Sequence, residues 1–264
     1  GGFLIEGQLN ENSLINLFSN YNDYCLSNSI ISEFTRFHPI LNNDQLLLNN
    51  YTINSLGNTI TMNLNNENQI WEDLSSKNKN VIRKAIKSGV KVYWESSDKI
   101  FAEFMKMYNM TMDKDSAEDY YYFKEDFYKS ISNDLKHNYL MFYAVLNDKI
   151  IAMSIILFSN KKMNYHLSAS YKEYLKYAPT NLLLYEAACW GCKNGFETFH
   201  LGGGLGGKED NLYRFKKAFN KNSSTSFSIG KKIFNKKLYD ELIDLRKQEI
   251  GFDINNLFFP LYRA

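Results

Sequence analysis

Apolar residues recur along this chain at two spacings, and the alternation between them divides it into elements. Gly1–Glu6 reads as a strand, and Leu14, Ile15, Leu17, Phe18 and Tyr21 follow the spacing of a helix over Asn12–Asn28. Ile30–Phe37 reads as extended and stops at His38-Pro39, where proline disfavours continued regular structure. Gln45–Ile53 and Thr59–Leu64 read as strands joined by a turn at Leu56-Gly57-Asn58. A helix is predicted from about Gln69 to Ser88, stopped by Gly89, and Val90–Glu95 follows as a strand.

Two helices are predicted next, about Asp98–Met112 and Ala117–Ser132, then three strands at Tyr139–Leu146, Ile150–Phe158 and Met163–Ser170. Asn147-Asp148 links the first two of these as a hairpin. Pro179 opens a helix that ends at Gly195, and Phe196–Leu201 is a short strand behind it. A glycine-rich loop leads into a helix over Glu209–Phe219, and strand Ser224–Lys231 and helix Lys236–Lys247 follow. Three consecutive strands between helices predict an α/β (α+β) mixed sheet with an antiparallel section, not a doubly wound parallel sheet.

Composition narrows this picture in a few places. At 264 residues, 44% hydrophobic and 23% charged, the chain has the make-up of a packed globule of one or two domains. Ile150–Phe158, one of its longest apolar runs, is far below the roughly 20 residues of a membrane helix. Cys25, Cys189 and Cys192 are an odd number without a disulfide framework, which fits a reducing, cytoplasmic location. Net charge is only +2, yet Lys77, Lys79, Arg83, Lys84 and Lys87 cluster in one segment. That cluster is either a solvated helix face or a track for tRNA, an anionic lipid-linked sugar or a membrane surface.

The loop "HLGGGLGGKED" matches two nucleotide patterns and satisfies neither. A dinucleotide fold needs an acid about 20 residues on, and Asn222–Ser226 offers none. A P-loop needs Ser or Thr after its lysine, and Glu209 follows Lys208. In the next helix Leu212, Phe215, Ala218 and Phe219 form the expected apolar face, with Arg214 and Lys217 pointing away. Lys216 falls about 80° from the centre of that face by helical geometry. It is either a snorkelling side chain or an amine at the rim of a cleft, facing an anion. Cys189 and Cys192 have redox spacing but sit near a helix C-terminus, where the dipole opposes a low thiol pKa, so they read as packing. The histidines show no ligand spacing with them, and no metal is expected.

Six segments together resemble a known family: "SEFTRFHP", "RKAIKSGV", "YHLSAS", "NLLLYEA", "FHLGGG" and "LYRFKKAF". In order and spacing they are similar to the Fem-type acyltransferases and their uncharacterised Fem-like branch, within the GNAT superfamily. The resemblance runs from about Gly1 to Lys247 and implies a tandem GNAT-like N-acyltransferase fold, the second domain inserted into the first. On that template residues 1–74 and 233–264 form the first domain, shortened here, and residues 75–232 the second. The better-known members move amino acids from aminoacyl-tRNA to the peptidoglycan precursor; others resemble acetyl-CoA-dependent N-acyltransferases of surface polysaccharides. The expected function is therefore amide formation on a phosphate-bearing or lipid-linked cell-envelope precursor, with peripheral membrane contact and no tightly bound cofactor. An N-acetyltransferase acting on an amino sugar is the alternative, and a non-catalytic binding module for anionic precursors or RNA is a third reading.

The resemblance implicates Lys216, in the family's "FK" pair, in holding the phosphate-bearing acceptor or the reacting carbonyl. Strand alternation over Met163–Ser170 puts Asn164, His166, Ser168 and Ser170 on one face and Tyr165, Leu167 and Ala169 on the other. His166 is then either a structural histidine or a proton acceptor. Arg36, at a strand end, is suited to a phosphate or to an internal salt bridge. Arg83 in the basic helix, Tyr121 as a wall of the acceptor site, Tyr165, Ser168 and Arg214 complete the substrate-binding candidates. The turn "YLKYAPTN" stands where CoA-dependent relatives have a glycine-rich pyrophosphate cradle and contains no glycine, so the local sequence does not support CoA.

Overall fold

The computed structural model describes residues 1–97, 99–114, 118–223 and 225–264, with Lys114 and Tyr120 described by their backbone alone. Their elements run α1 (Glu11–Ser27), β1 (Ser32–Arg36), β2 (Thr52–Asn63), α2 (Glu67–Asp73), α3 (Ser76–Lys87), β3 (Lys91–Glu95), α4 (Lys99–Lys114) and α5 (Glu125–Asp134). Then come β4 (Tyr139–Leu146), β5 (Lys149–Ser159), β6 (Lys162–Ser170), α6 (Pro179–Lys193), β7 (Thr198–Gly202), α7 (Asn211–Lys217), β8 (Thr225–Ile233) and α8 (Lys236–Arg246). The chain divides into two compact units, Gly1–Asn58 with Thr225–Ala264, and Thr59–Ser224.

In the larger unit the strand order is β2-β7-β6-β5-β4-β3. β6 and β7 are parallel, and the other pairs are antiparallel, so the mixed sheet expected from three successive strands is present. Both hairpin turns, Asn147-Asp148 and Asn160-Lys161, hold two successive residues at positive φ. That backbone twist matches the twist of the flanking strands. Ile151–Ile156 of β5 are buried without interruption, because helices cover both faces of the sheet. On one face α2, α3 and α6 close a core around Ile82, Phe142, Ile156, Met163, Leu183 and Phe199. On the other, Phe104, Met107, Tyr128, Met141, Met153 and Ile155 pack beneath α4 and α5. Helix α6 is apolar nearly all round, with Leu182, Leu183, Leu184, Ala187 and Ala188 buried, as a helix against the middle of a sheet must be.

In the smaller unit β1 pairs antiparallel with β8, and the first half of β2 completes the order β1-β8-β2. Phe18, Phe37, Leu47 and Tyr51 form its core. Gly230 lies against the Phe37 ring, where an added Cβ would stand 2.7 Å away. Glu33 accepts hydrogen bonds from the hydroxyls of Tyr21, Tyr51 and Thr35, at 3.0, 2.7 and 2.7 Å.

Several elements differ from the sequence expectation. Gly1–Glu6 joins no sheet: the Asn43 amide holds the carbonyls of Gly1 and Phe3, tying the segment down through a side chain. Gln45–Leu47 is a short 3-10 helix closed by the local Leu47-to-Asp44 bond, not the start of a strand. β2 then runs straight through Gly57; among Leu56, Gly57 and Asn58 only the glycine has positive φ, too little for a tight hairpin. The helix expected over Gln69–Ser88 is two helices, because Leu74 is extended and Ser75 caps α3 by accepting from the Asn78 amide. Tyr121 and Tyr122 open no helix: a 3-10 turn over Asp119–Tyr121 precedes α5, which begins at Glu125. Ala117, Asp98 and Ser224, expected as element starts, lie outside the described residues.

The glycine of Cys189-Trp190-Gly191-Cys192 has a packing role. A Cβ on Gly191 would stand 2.3 Å from Met163 Sδ and 2.9 Å from Leu64 Cδ1. Both neighbours are buried, so an added methyl must displace them within a filled core. Gly191→Ala is expected to lower stability by about 1–3 kcal/mol, the range for overpacking a filled core, read as a lower urea midpoint at unchanged slope.

Candidate active site

The parallel pair β6 and β7 is joined for three residues only: Lys162 opposite Thr198, Met163 opposite Phe199 and Asn164 opposite His200. Beyond Asn164 the register of β6 against β5 shifts, Ile156 facing Tyr165 and Ile155 facing Leu167. This bulge inserts one residue, His166, and such insertions bend a strand and end its pairing. A recess of about 310 Å³ lies beside the bulge, lined among others by Tyr165, Ser168, Phe215, Ala178, Pro179 and Asn181. Helix α6 begins at its wall without a side-chain cap.

Lys216 stands across the parting of the two strands. Its Nζ donates to the Gly203 carbonyl at 2.7 Å, just past the end of β7. The same nitrogen lies 5.9 Å from the centroid of Tyr165, the first β6 residue after the last pair. Helix α7 is turned differently from the expected apolar stripe: Tyr213, Lys216 and Phe219 are buried, while Leu212 is 38% exposed. Lys216 is therefore within the buried face and only 9% exposed. Burial pushes its pKa down to about 8, opposed in part by the Asp210 carboxylate. Loss of hydration raises the Tyr165 phenol to about 12, with the Ser168 and Ser154 hydroxyls working against the rise. Ser154 Oγ donates to Ser168 Oγ at 2.9 Å, and Ser168 Oγ donates to the Met153 carbonyl at 3.2 Å.

The glycine loop serves this lysine. Gly202 has φ +78°, and a Cβ there would lie 3.2 Å from Lys216 Nζ. At Gly204 a Cβ would collide with the Lys208 carbonyl at 2.0 Å. Asp210 caps α7 from the loop's concave side, accepting from Tyr213 N at 2.8 Å and Leu205 N at 2.9 Å. Those two amides hold its pKa below the usual carboxylate range. A carboxylate thus occupies the place where a phosphate-binding loop would receive its ligand.

Of the residues singled out in the sequence, Lys216, Tyr165 and Ser168 come together and the others do not. The bulge breaks the expected polar stripe. Ser168 joins Ser154 on the Tyr165 side, whereas His166 is exposed with its ring 6.1 Å from that of Phe127, under α5. Crowding by its neighbours removes part of its hydration and lowers its pKa. Arg83 is exposed on α3, its guanidinium 5.1 Å from the Trp71 ring and 3.1 Å from Asn80 Oδ1. Arg214 is exposed and donates to Asn211 Oδ1 at 3.4 Å, and Tyr121 is 41% exposed in its 3-10 turn. Arg36 is exposed at the end of β1, in the smaller unit. Ser154, Asn181 and the Gly203 carbonyl were missed; only Ser154, a hydroxyl inside an apolar strand, left a trace in the pattern. Cys189 is buried and its thiol pKa rises to about 11 through loss of hydration, as structural packing requires. Among the described residues no three His, Cys, Asp or Glu are grouped to hold a metal.

Residues 76–217 match the family model of the acetyltransferase (GNAT) domain. The chain belongs to the GNAT acetyltransferase family. It is an acyltransferase, and the parted strands β6 and β7 lie within the matched residues. Similar solved folds include FemX, at 14% identity and TM-score 0.66 over 88% of this chain and 79% of that one. L-PGS from Bacillus licheniformis is 14% identical at TM-score 0.60, over 90% and 78% of the two chains. A tandem GNAT protein from the clavulanic acid biosynthesis pathway is 6% identical at TM-score 0.50, over 87% and 72%. These superpositions show a shared fold, the tandem GNAT-like mixed α/β architecture. No curated protein matches the sequence.

The depressed Lys216 pKa has a stability consequence with a definite sign. Between about 8 and the ordinary lysine value of 10.5, the unfolded chain holds a proton that the folded chain has released. Stability from this group therefore rises with pH across that window. Urea midpoints of the wild type and Lys216→Met are expected to shift in favour of the wild type between pH 7 and pH 10. An unchanged difference would show that Lys216 keeps an ordinary pKa.

Proposed function

We propose that the recess beside Lys216 transfers an aminoacyl group from tRNA to an amine of a phosphate-bearing, lipid-linked cell-envelope precursor. The observation that carries this reading is the buried amine between Gly203 and Tyr165, at the point where the strands part. The acceptor amine attacks the ester carbonyl carbon, a C–N bond forms, and the carbonyl oxygen becomes an oxyanion. Collapse of that intermediate breaks the C–O bond to the ribose, and the amine's proton leaves with the ribose hydroxyl. Protonated Lys216 gives one hydrogen to Gly203 and keeps two for the oxyanion or an acceptor phosphate. Tyr165, with its pKa near 12, stays neutral and donates to the departing oxygen. The Ser154–Ser168 pair beside the phenol fixes its direction.

The connection from β6 to α6 supports tRNA over CoA as donor. It is a 3-10 helix over Lys172–Tyr177 followed by Ala178 at φ 50° and Pro179, with no glycine to let backbone amides wrap a pyrophosphate. An acetyl-CoA-dependent reaction on an amino sugar is the second reading. It is favoured by the GNAT domain itself, whose donors are in general of the acyl-CoA type, and by the uncapped start of α6 at the recess.

Acyl transfer measured with charged tRNA and with acetyl-CoA distinguishes the two, product from one donor alone deciding between them. Lys216→Ala is expected to lower kcat by about 10²-fold or more, as loss of an oxyanion donor does. Because the cation is the acting form, the wild-type rate is expected to fall as pH rises past about 8. Unchanged turnover in Lys216→Ala would remove the lysine from the mechanism.

A further inference from the structure

Helix α3 carries Lys77, Lys79, Arg83, Lys84 and Lys87 and has no carboxylate in its 12 residues. Its apolar side is committed to the core, with Ile82 and Ala85 at 0% exposure. The cations are left on the outer surface: Lys77, Arg83, Lys84 and Lys87 are exposed and Lys79 is half-buried. Among the described residues none of the five forms an ion pair with a carboxylate. Lys79, Arg83 and Lys87 are four residues apart and so stand in one row, a positive charge about every 6 Å. The amines of Lys79 and Lys221 both approach the Glu72 carbonyl, at 3.4 and 2.9 Å, adding a sixth cation beside the row.

The row is anchored to the active site. Asn78, in the first turn of α3, accepts from the amide of Asn181 at 2.8 Å, and Asn181 lines the recess. The row of cations therefore starts at Lys79, one residue beyond the contact that ties α3 to the recess lining. A membrane-surface helix would turn an apolar face to lipid, but that face of α3 is buried, and only Ile86, 53% exposed, departs from this. One phosphate or pyrophosphate would meet one or two of these cations, whereas the backbone of a nucleic acid would meet them in succession.

We propose that α3 is the docking track for the phosphate backbone of an RNA whose acylated 3′ end enters the recess. This rests on the aminoacyl-tRNA reading of the same site, and its test does not require transfer. The probe is an uncharged RNA hairpin with a single-stranded 3′ CCA end, titrated by fluorescence anisotropy across a salt series. Affinity is expected to fall steeply with salt. In a Lys79→Gln, Arg83→Gln, Lys87→Gln triple variant it is expected to drop by about tenfold or more, with the log–log salt slope shallower by about 2 to 3. A second triple variant, Lys77→Gln, Lys84→Gln, Lys87→Gln, leaves the Arg83–Trp71 contact intact and guards against loss of folding, checked by circular dichroism.

Unchanged affinity and slope in folded variants would overturn the track. Binding to phosphatidylglycerol vesicles without binding to the hairpin would also overturn it, in favour of a lipid surface. If charged tRNA supports transfer with the same KM in wild type and variants, the track fails and the acyl-transfer reading survives. If the variants lose hairpin binding while no donor supports transfer, the track stands and that reading fails.

Discussion

The larger unit is organised around the early end of one strand pairing. β6 and β7 share three residue pairs and then separate beside a one-residue bulge in β6. A parted sheet leaves backbone polar groups without ladder partners, and these must find side chains, water or a ligand instead. Helices on both faces of the flanking strands hold the parting open. Ile151–Ile156 are clamped from both sides, so β5 cannot follow β6 out of register. The recess is thus a property of sheet topology, and its lining residues come from elements that the sheet has already positioned.

Burying an amine is the second constraint, and it depends on the first. Lys216 lies within the inward face of α7, and the Gly203 carbonyl that receives it is free because β7 has ended. Gly202 at positive φ turns the chain away from the amine, and Gly204 leaves room for Asp210 to cap the helix that carries it. Loop, cap and lysine form one device: the loop's own carboxylate takes amides of the helix start and the loop, and the lysine amine is held between the Gly203 carbonyl and the Tyr165 ring. A cation held this way is partly desolvated before any ligand arrives, so its interaction with a developing negative charge is stronger than in water.

Helix α3 shows how the same chain divides its labour by face. The polar side chain of Asn78 is spent inward, bonding to Asn181 and to the Ala218 carbonyl at 3.3 Å, and the cations are all turned outward. The inward bonds fix the helix against α6 and the end of α7, and α3 itself carries no carboxylate to oppose the outward charges.

By itself the sequence determined what local patterning can determine. The antiparallel run β4-β5-β6, the turn at Asn147-Asp148 and the proline start of α6 were legible because each depends on residues close in the chain. The departure of the glycine loop from the P-loop pattern was legible too, from Glu209 after Lys208. The split between α2 and α3, the unbroken β2 and the unpaired Gly1–Glu6 were not, since side-chain caps and distant partners decided them. Only the tertiary structure could place the site. A single inserted residue in β6 reverses alternation, sending His166 toward α5 and leaving Tyr165 and Ser168 with Lys216, and no periodicity within the strand records it. The rotation of α7 was likewise hidden. Leu212 looks like core by hydrophobicity and Lys216 like rim, yet the carbonyl of Gly203, 13 residues away in sequence, makes burial of the lysine tolerable. Which residue a helix buries depends on what polar partner the fold brings to it.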